Sequence, residues 1–202
     1  MSALRACTTA VAGALALAAT CAALAAPAQA AALSRFDDGS FEYPVAPANS
    51  FSTLTNGQSL GPWRVTAGSV DLIGSGFWQA AEGNQSVDLS GGGPGTVAQT
   101  FTTVPGTTYS VSYSLAGNID AASQPAVKTG RALIDGQVFQ DFTFDITGKT
   151  RANMGYVNRQ FTFVASAAST TLAFAGTTAG AHGPVLDNVQ VKAACCGCSA
   201  SC

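Results

Sequence analysis

Apolar and polar side chains alternate with period two along most of this chain. Tyr109, Val111, Tyr113 and Leu115 are separated by Ser110, Ser112 and Ser114, the pattern of a strand with one buried and one wet face. Phe142 and Phe144 flank Thr143, Phe161 and Phe163 flank Thr162, Leu172 and Phe174 flank Ala173, and Val189 and Val191 flank Gln190. Segments 97–103 and 63–66 carry the same pattern less cleanly. Turn signals separate these runs: Asn56-Gly57, Ala67-Gly68-Ser69, Gly91 to Gly95, Pro105-Gly106, Asp135-Gly136 and Gly176. Asp135-Gly136 predicts a hairpin through a type I′ turn, because that turn needs positive φ at both central residues. No stretch shows a helical period; the best candidate, 165–168, is too short and too rich in serine. Many short strands between Gly- and Pro-rich turns predict an all-β antiparallel sandwich or barrel, with 44–50 and 118–129 as loops.

The first thirty residues fall outside this pattern. Met1 to Ala6 carries one Arg and no acid, an Ala/Leu run follows from Val11 to Ala26, and Ala28-Gln29-Ala30 is a small-x-small cleavage signal. They predict a secretory leader over 1–30, hence an extracellular protein; Thr20-Cys21 is a poorer, lipoprotein-like cleavage point. The predicted organisation is a leader over 1–30, one β-sandwich domain over 31–192 and a Cys-rich tail over 193–202. Without Arg5 the chain keeps eight basic against eleven acidic residues. So mild a balance points neither to nucleic acid nor to an anionic membrane.

Two acidic signatures bracket the domain: Asp38-Gly39-Ser40-Phe41-Glu42 at its start and Gly183-Pro184-Val185-Leu186-Asp187-Asn188-Val189 at its end. They can meet only if the fold brings its termini together. Calcium takes six to eight hard oxygens from carboxylates, amides and carbonyls, and Asp37, Asp38, Glu42, Asp187 and Asn188 offer such oxygens. The alternative is that Asp38-Gly39 forms a turn and Asp187 caps neighbouring backbone.

These residues, with Gly61-Pro62-Trp63, Gly68-Ser69-Val70-Asp71, Trp78 to Gly83, Ser86 to Gly91, Gln99-Thr100-Phe101 and Leu115 to Asn118 in order, resemble the choice-of-anchor C family of bacteria. They are also similar to the plant cell-wall proteins of domain-of-unknown-function family 642. The resemblance covers about Leu33 to Lys192. It implies a galactose-binding-domain-like jelly roll, related to carbohydrate-binding modules, with a structural calcium held by Glu42 and Asp187. Asp38 stands where the family usually has Asn and would serve as a further ligand.

A sugar site combines an aromatic face with polar hydrogen-bonding groups. Trp63, Tyr109 and Tyr113 sit at core-like positions. Trp78 and Tyr156 lie in less periodic stretches and are the candidate stacking rings, with Gln99, Asn118 and Arg159 as polar partners. Catalytic constellations are sparse: the chain has one histidine, His182, two glutamates, and no Gly-x-Ser-x-Gly, phosphate loop or His-Glu-x-x-His. Four of the six cysteines, Cys195, Cys196, Cys198 and Cys202, close the chain. Disulfide or surface attachment, a metal, or no role are the three readings of that tail. The expectation is a secreted, non-catalytic module that binds cell-wall or extracellular polysaccharide. A structural surface protein and a polysaccharide hydrolase are the alternatives.

Overall fold

The computed structural model describes residues 35–120 and 125–194. The predicted leader and the four C-terminal cysteines lie outside the described residues. Twelve strands appear: β1 Phe51–Thr55, β2 Ser59–Leu60, β3 Trp63–Ala67, β4 Ser69–Ile73, β5 Ser86–Asp88 and β6 Thr96–Thr102. They continue with β7 Thr108–Gly117, β8 Val127–Ile134, β9 Gln137–Asp145, β10 Val157–Val164, β11 Ser169–Gly176 and β12 Pro184–Ala193. One six-stranded sheet runs β1-β4-β5-β12-β7-β10 and the other β2-β3-β6-β11-β8-β9. All pairings are antiparallel. From β5 on, the chain repeatedly changes sheet, as in a jelly roll. The all-β antiparallel sandwich is therefore the observed fold, and there is no helix among the described residues.

The alternating runs fold as their period requires. Tyr113 and Leu115 are buried between the sheets with Phe142, Phe163, Leu172 and Phe174, while Ser110 and Ser112 face outward. Asp135 and Gly136 have φ of 49° and 81°, and Ile134 pairs with Gln137 across them. That is the two-residue hairpin the dipeptide predicts. Strand β8 begins at Val127, inside the expected 118–129 loop. Gly130 obscured it: glycine reads as a turn, but here a Cβ would strike the Phe142 ring and the Ala175 carbonyl, so this strand position must lack a side chain.

Trp63 is fully buried and packs on Phe36, Phe41 and Phe174, with ring centroids 5.7, 5.2 and 6.3 Å away. Its indole Nε1 donates to the Asp38 carbonyl at 2.9 Å, so the core tryptophan anchors the first acidic signature. The Val189 N–H donates to the Gly39 carbonyl at 2.8 Å. A Cβ at Gly39 would run into the Val189 carbonyl, so only glycine lets the two ends of the domain lie this close. The two bracketing signatures do meet.

Candidate functional site

The two bracketing acids grip one loop. Asp187 is fully buried. Its Oδ2 accepts the Ala81 and Glu82 N–H groups at 2.7 and 2.9 Å, and its Oδ1 accepts its neighbour Asn188 N–H at 2.6 Å. Glu42 Oε1 accepts the Asn84 and Gln85 N–H groups at 2.7 and 2.8 Å. Between them sits Gly83, φ 60°, where a Cβ would collide with the Glu42 carboxylate. Asp38 turns inward: its Oδ1 accepts the Glu42 N–H at 2.8 Å. Gln85, which the sequence reading missed, donates its amide to the Phe41 and Pro44 carbonyls at 2.6 and 3.1 Å and accepts the Ala46 N–H at 2.6 Å.

The oxygens named here are already engaged by backbone N–H groups. Backbone N–H dipoles point their positive ends at Asp187, Glu42 and Asp38, and nearby carbonyls are taken by Gln85. Among the described residues no three His, Cys, Asp or Glu side chains converge to hold a metal.

A pocket of about 370 Å³ opens at the β1 edge of the first sheet, lined by Phe51, Thr53, Asp71, Phe77, Asn118, Asp120 and His182 among others. The pairings Thr53↔Asp71 and Phe51↔Ile73 put these side chains on one outer face. Thr53 Oγ1 donates to Asp71 Oδ1 at 2.6 Å, and Asp71 lines the cavity. Phe51 is half exposed and meets the Phe77 ring edge-on at 5.7 Å. The Arg151 guanidinium lies 4.4 Å from the Phe77 centroid and gives Asp120 two hydrogen bonds, 3.1 and 2.8 Å long. This stacked, forked arginine fixes both an aromatic wall and an acid.

The floor is Asp88. It sits opposite Asp71 across β4 and β5 and is fully buried. Its Oδ1 accepts the Ser90 and Gly183 N–H groups at 2.9 and 3.0 Å, and its Oδ2 accepts Asn118 Nδ2 at 2.6 Å. One side chain thus ties together the three loops that rim the pocket. Burial, with Asp71 across the ladder adding to it, pushes the Asp88 carboxyl up to about 8 against these three donors. Burial also raises Asp71 and takes Asp187 to about 7. His182 Nδ1 is buried without a hydrogen-bond partner.

The sequence candidates separate. Asn118 lines the pocket and donates to the buried Asp88. Trp78 is 5 % exposed and donates Nε1 to Ser86 Oγ at 2.9 Å; it is a core residue pinning its own loop and offers no free face for stacking. Gln99 is 2 % exposed and holds both backbone groups of Asp37 at 2.9 Å, a positioning role. Arg159 pairs with Tyr113 and so shares its inward face, where Nη2 reaches the Thr143 carbonyl at 3.2 Å. Tyr156 lies elsewhere, beside a polar trough on the same sheet. Phe51, Phe77, Asp71, Asp120 and His182 had no local signal as a set, because five separate segments deliver them.

The fold and pocket define a β-sandwich with an aromatic and carboxylate cleft among its edge loops. The chain belongs to the DUF642 family, described as a protein of unknown function, whose sequence profile matches residues 34–192. It is 29 % identical over 161 residues to halomucin of Haloquadratum walsbyi, covering 76 % of this chain and 2 % of halomucin. The chain thus spans a very small part of that curated relative. Among solved structures it is similar to a family 35 carbohydrate-binding module from Clostridium thermocellum, with 14 % identity and a TM-score of 0.48, covering 71 % of this chain and 99 % of that one. It is also similar to the CBM22-1 xylan-binding domain of Paenibacillus barcinonensis Xyn10C, with 14 % identity and a TM-score of 0.45, covering 74 % and 97 %. No helix among the described residues is long and apolar enough to cross a membrane.

Proposed function

We propose that this is a secreted, non-catalytic carbohydrate-binding module that holds an extracellular or cell-wall polysaccharide in the pocket at the β1 edge. One observation carries the reading: an aromatic wall, Phe51 and Phe77, stands beside Asp71, Asn118, Asp120 and His182 in one cavity. A pyranose presents a C–H face that packs on such a wall, and ring hydroxyls that donate to carboxylate oxygens. Asp71, which lines the pocket, offers a carboxylate acceptor. Asp120, held by Arg151, is a fixed second acceptor. Two carboxylates at the rim disfavour uronates and favour neutral sugars, since like charges repel.

The test is a polysaccharide panel, with retention measured by affinity electrophoresis. At least one neutral polysaccharide should retard the wild-type chain, and Phe51→Ala, which removes the exposed ring, should weaken that retention by roughly tenfold or more, as loss of an aromatic contact does. No retention by any polysaccharide would overturn the reading in favour of a structural surface protein. Release of reducing sugar from the retained glycan would make it a hydrolase.

The bracketing clasp is read as metal-free, and the support for this is that amide N–H groups already occupy Glu42 and Asp187. A ligand bound only by the native state raises the melting temperature. Adding a chelator to the full chain should therefore leave its melting curve unchanged. A drop of several degrees, restored by calcium, would instead assign a structural ion to this protein.

A further inference from the structure

The outer face of β12, β7 and β10 carries two adjoining depressions of about 440 and 290 Å³ that share Asn158 and Asn188. Their floor is the wet face of the alternating strand β7: Ser114 lies beside Asn158 and Ser112 beside Gln160. One wall is the segment from Gln79 to Ala81; the other runs from Asn153 to Tyr156. Gln79 fixes the two walls to each other, through its N–H to the Arg151 carbonyl at 2.7 Å and its Oε1 from the Met154 N–H at 3.0 Å.

Two independent features mark this trough. First, β12 breaks register between Asp187 and Gln190, and Asn188 sits there at φ 48°. A bulge re-aims a side chain, and a non-glycine residue in the left-handed region is uncommon outside turns and sites. Second, three amides present the same edge. Gln79 Oε1 accepts from Met154, Asn158 Oδ1 from Ser114 Oγ at 3.2 Å, and Asn188 Oδ1 from Gln190 Nε2 at 2.8 Å. Each oxygen is satisfied, and each amide nitrogen keeps its N–H groups for something else.

We infer that this trough is a second glycan site, which takes a stretch of a neutral polysaccharide chain. Amide N–H donors suit hydroxyl and ring oxygens, the Tyr156 ring supplies an apolar edge, and two linked depressions suit a chain of sugars better than a single ring. Arg159 lines the smaller depression, with its Nη2 donating to the Thr143 carbonyl at 3.2 Å; the other polar side chains lining the two depressions are amides and hydroxyls, which suit a neutral chain. The site rests on the module reading only for the class of its ligand; its residues are separate from those of the β1-edge pocket.

NMR titration of the ¹⁵N-labelled full chain with cellohexaose, xylohexaose, galactohexaose and hexagalacturonate tests it. The side-chain amide signals of Gln79, Asn158 and Asn188 should move with at least one neutral hexasaccharide. Asn158→Val, which keeps a strand-favouring residue, should weaken that response about tenfold, the worth of a well-placed hydrogen bond. Asn188→Gly, which suits the backbone at φ 48°, should do the same and guards against a variant that misfolds. Shifts confined to the pocket amide of Asn118 would overturn the trough and leave the module reading standing. Shifts of the trough amides with hexagalacturonate alone would overturn the neutral class. No shift anywhere would overturn both.

Discussion

Replacing Asp187 by alanine should cost the domain about 3–5 kcal/mol, a large fraction of its stability. The carboxylate is fully buried and accepts three backbone N–H groups, from Ala81, Glu82 and Asn188. Each buried amide left without a partner costs about 1–3 kcal/mol, against a total stability of roughly 5–15 kcal/mol for an ordinary domain. Water entering the gap would recover part of this. Glu42→Ala frees two N–H groups at a partly exposed position, so its loss should be smaller, about 1–2 kcal/mol. Urea unfolding, followed by tryptophan fluorescence, measures both. An Asp187→Ala midpoint close to wild type would mean that the clasp does not hold the 81–85 loop. If Glu42→Ala were the more damaging, the weight placed on burial would be misplaced.

The domain should lose stability as pH rises from about 5 to about 8. Asp88 and Asp187 have carboxyls pushed up by burial to about 8 and about 7. In the unfolded chain both titrate near the ordinary aspartate value, about 4. Below that value the folded and unfolded states both hold the protons, and neither group contributes a pH dependence. Between about 4 and 8 the folded state holds protons that the unfolded state has released, so rising pH favours unfolding. The slope is about 1.4 kcal/mol per pH unit for each fully titrating group. Asp38 and Asp71 shift the same way, also through burial. Lys128, fully buried within the sandwich, has its ammonium lowered by burial, with the nearby Asp88 acting the other way. Asp88→Asn removes the titrating group and keeps an acceptor for Ser90 and Gly183 while losing the one for Asn118. It should flatten the profile, at the cost of that one hydrogen bond at every pH. Denaturation midpoints at several pH values decide this; a wild-type curve that is flat or rises over the window would contradict it.

How far the sequence discloses this molecule depends on whether a feature is local. The strands β6, β7 and β9 to β12 are legible because side chains one residue apart face opposite ways, and Asp135-Gly136 is legible because few dipeptides tolerate two positive φ values. The meeting of the bracketing signatures is legible as a topological requirement. The short strands β1, β2 and β5 are not, since five, two and three residues carry too few periods. In β1 the pattern is even inverted. Phe51, an apolar residue, faces outward into the pocket, while Ser52 faces inward. Trp78 misleads for a related reason: its aperiodic loop resembles an exposed surface, but the loop folds back over the sheet and buries the ring. The clasp is out of reach for a different reason. Asp187 meets Ala81 across 106 residues, and nothing near either one marks the other. The family resemblance found the acids, and only the structure shows that amides occupy them.

The β1-edge pocket is the centre of this account, and Asp71 is its most exposed test. Its Oδ1 accepts from Thr53 and the residue lines the cavity, so Asp71→Ala removes the acceptor while the surrounding strands keep their ladder. Calorimetric titration of the neutral polysaccharide selected by the panel into wild type and Asp71→Ala measures this directly. The predicted result is binding to wild type and a loss of about tenfold to a hundredfold in the variant, the worth of a charge-assisted hydrogen bond. Equal affinity in the two proteins, with the variant folded, would contradict it.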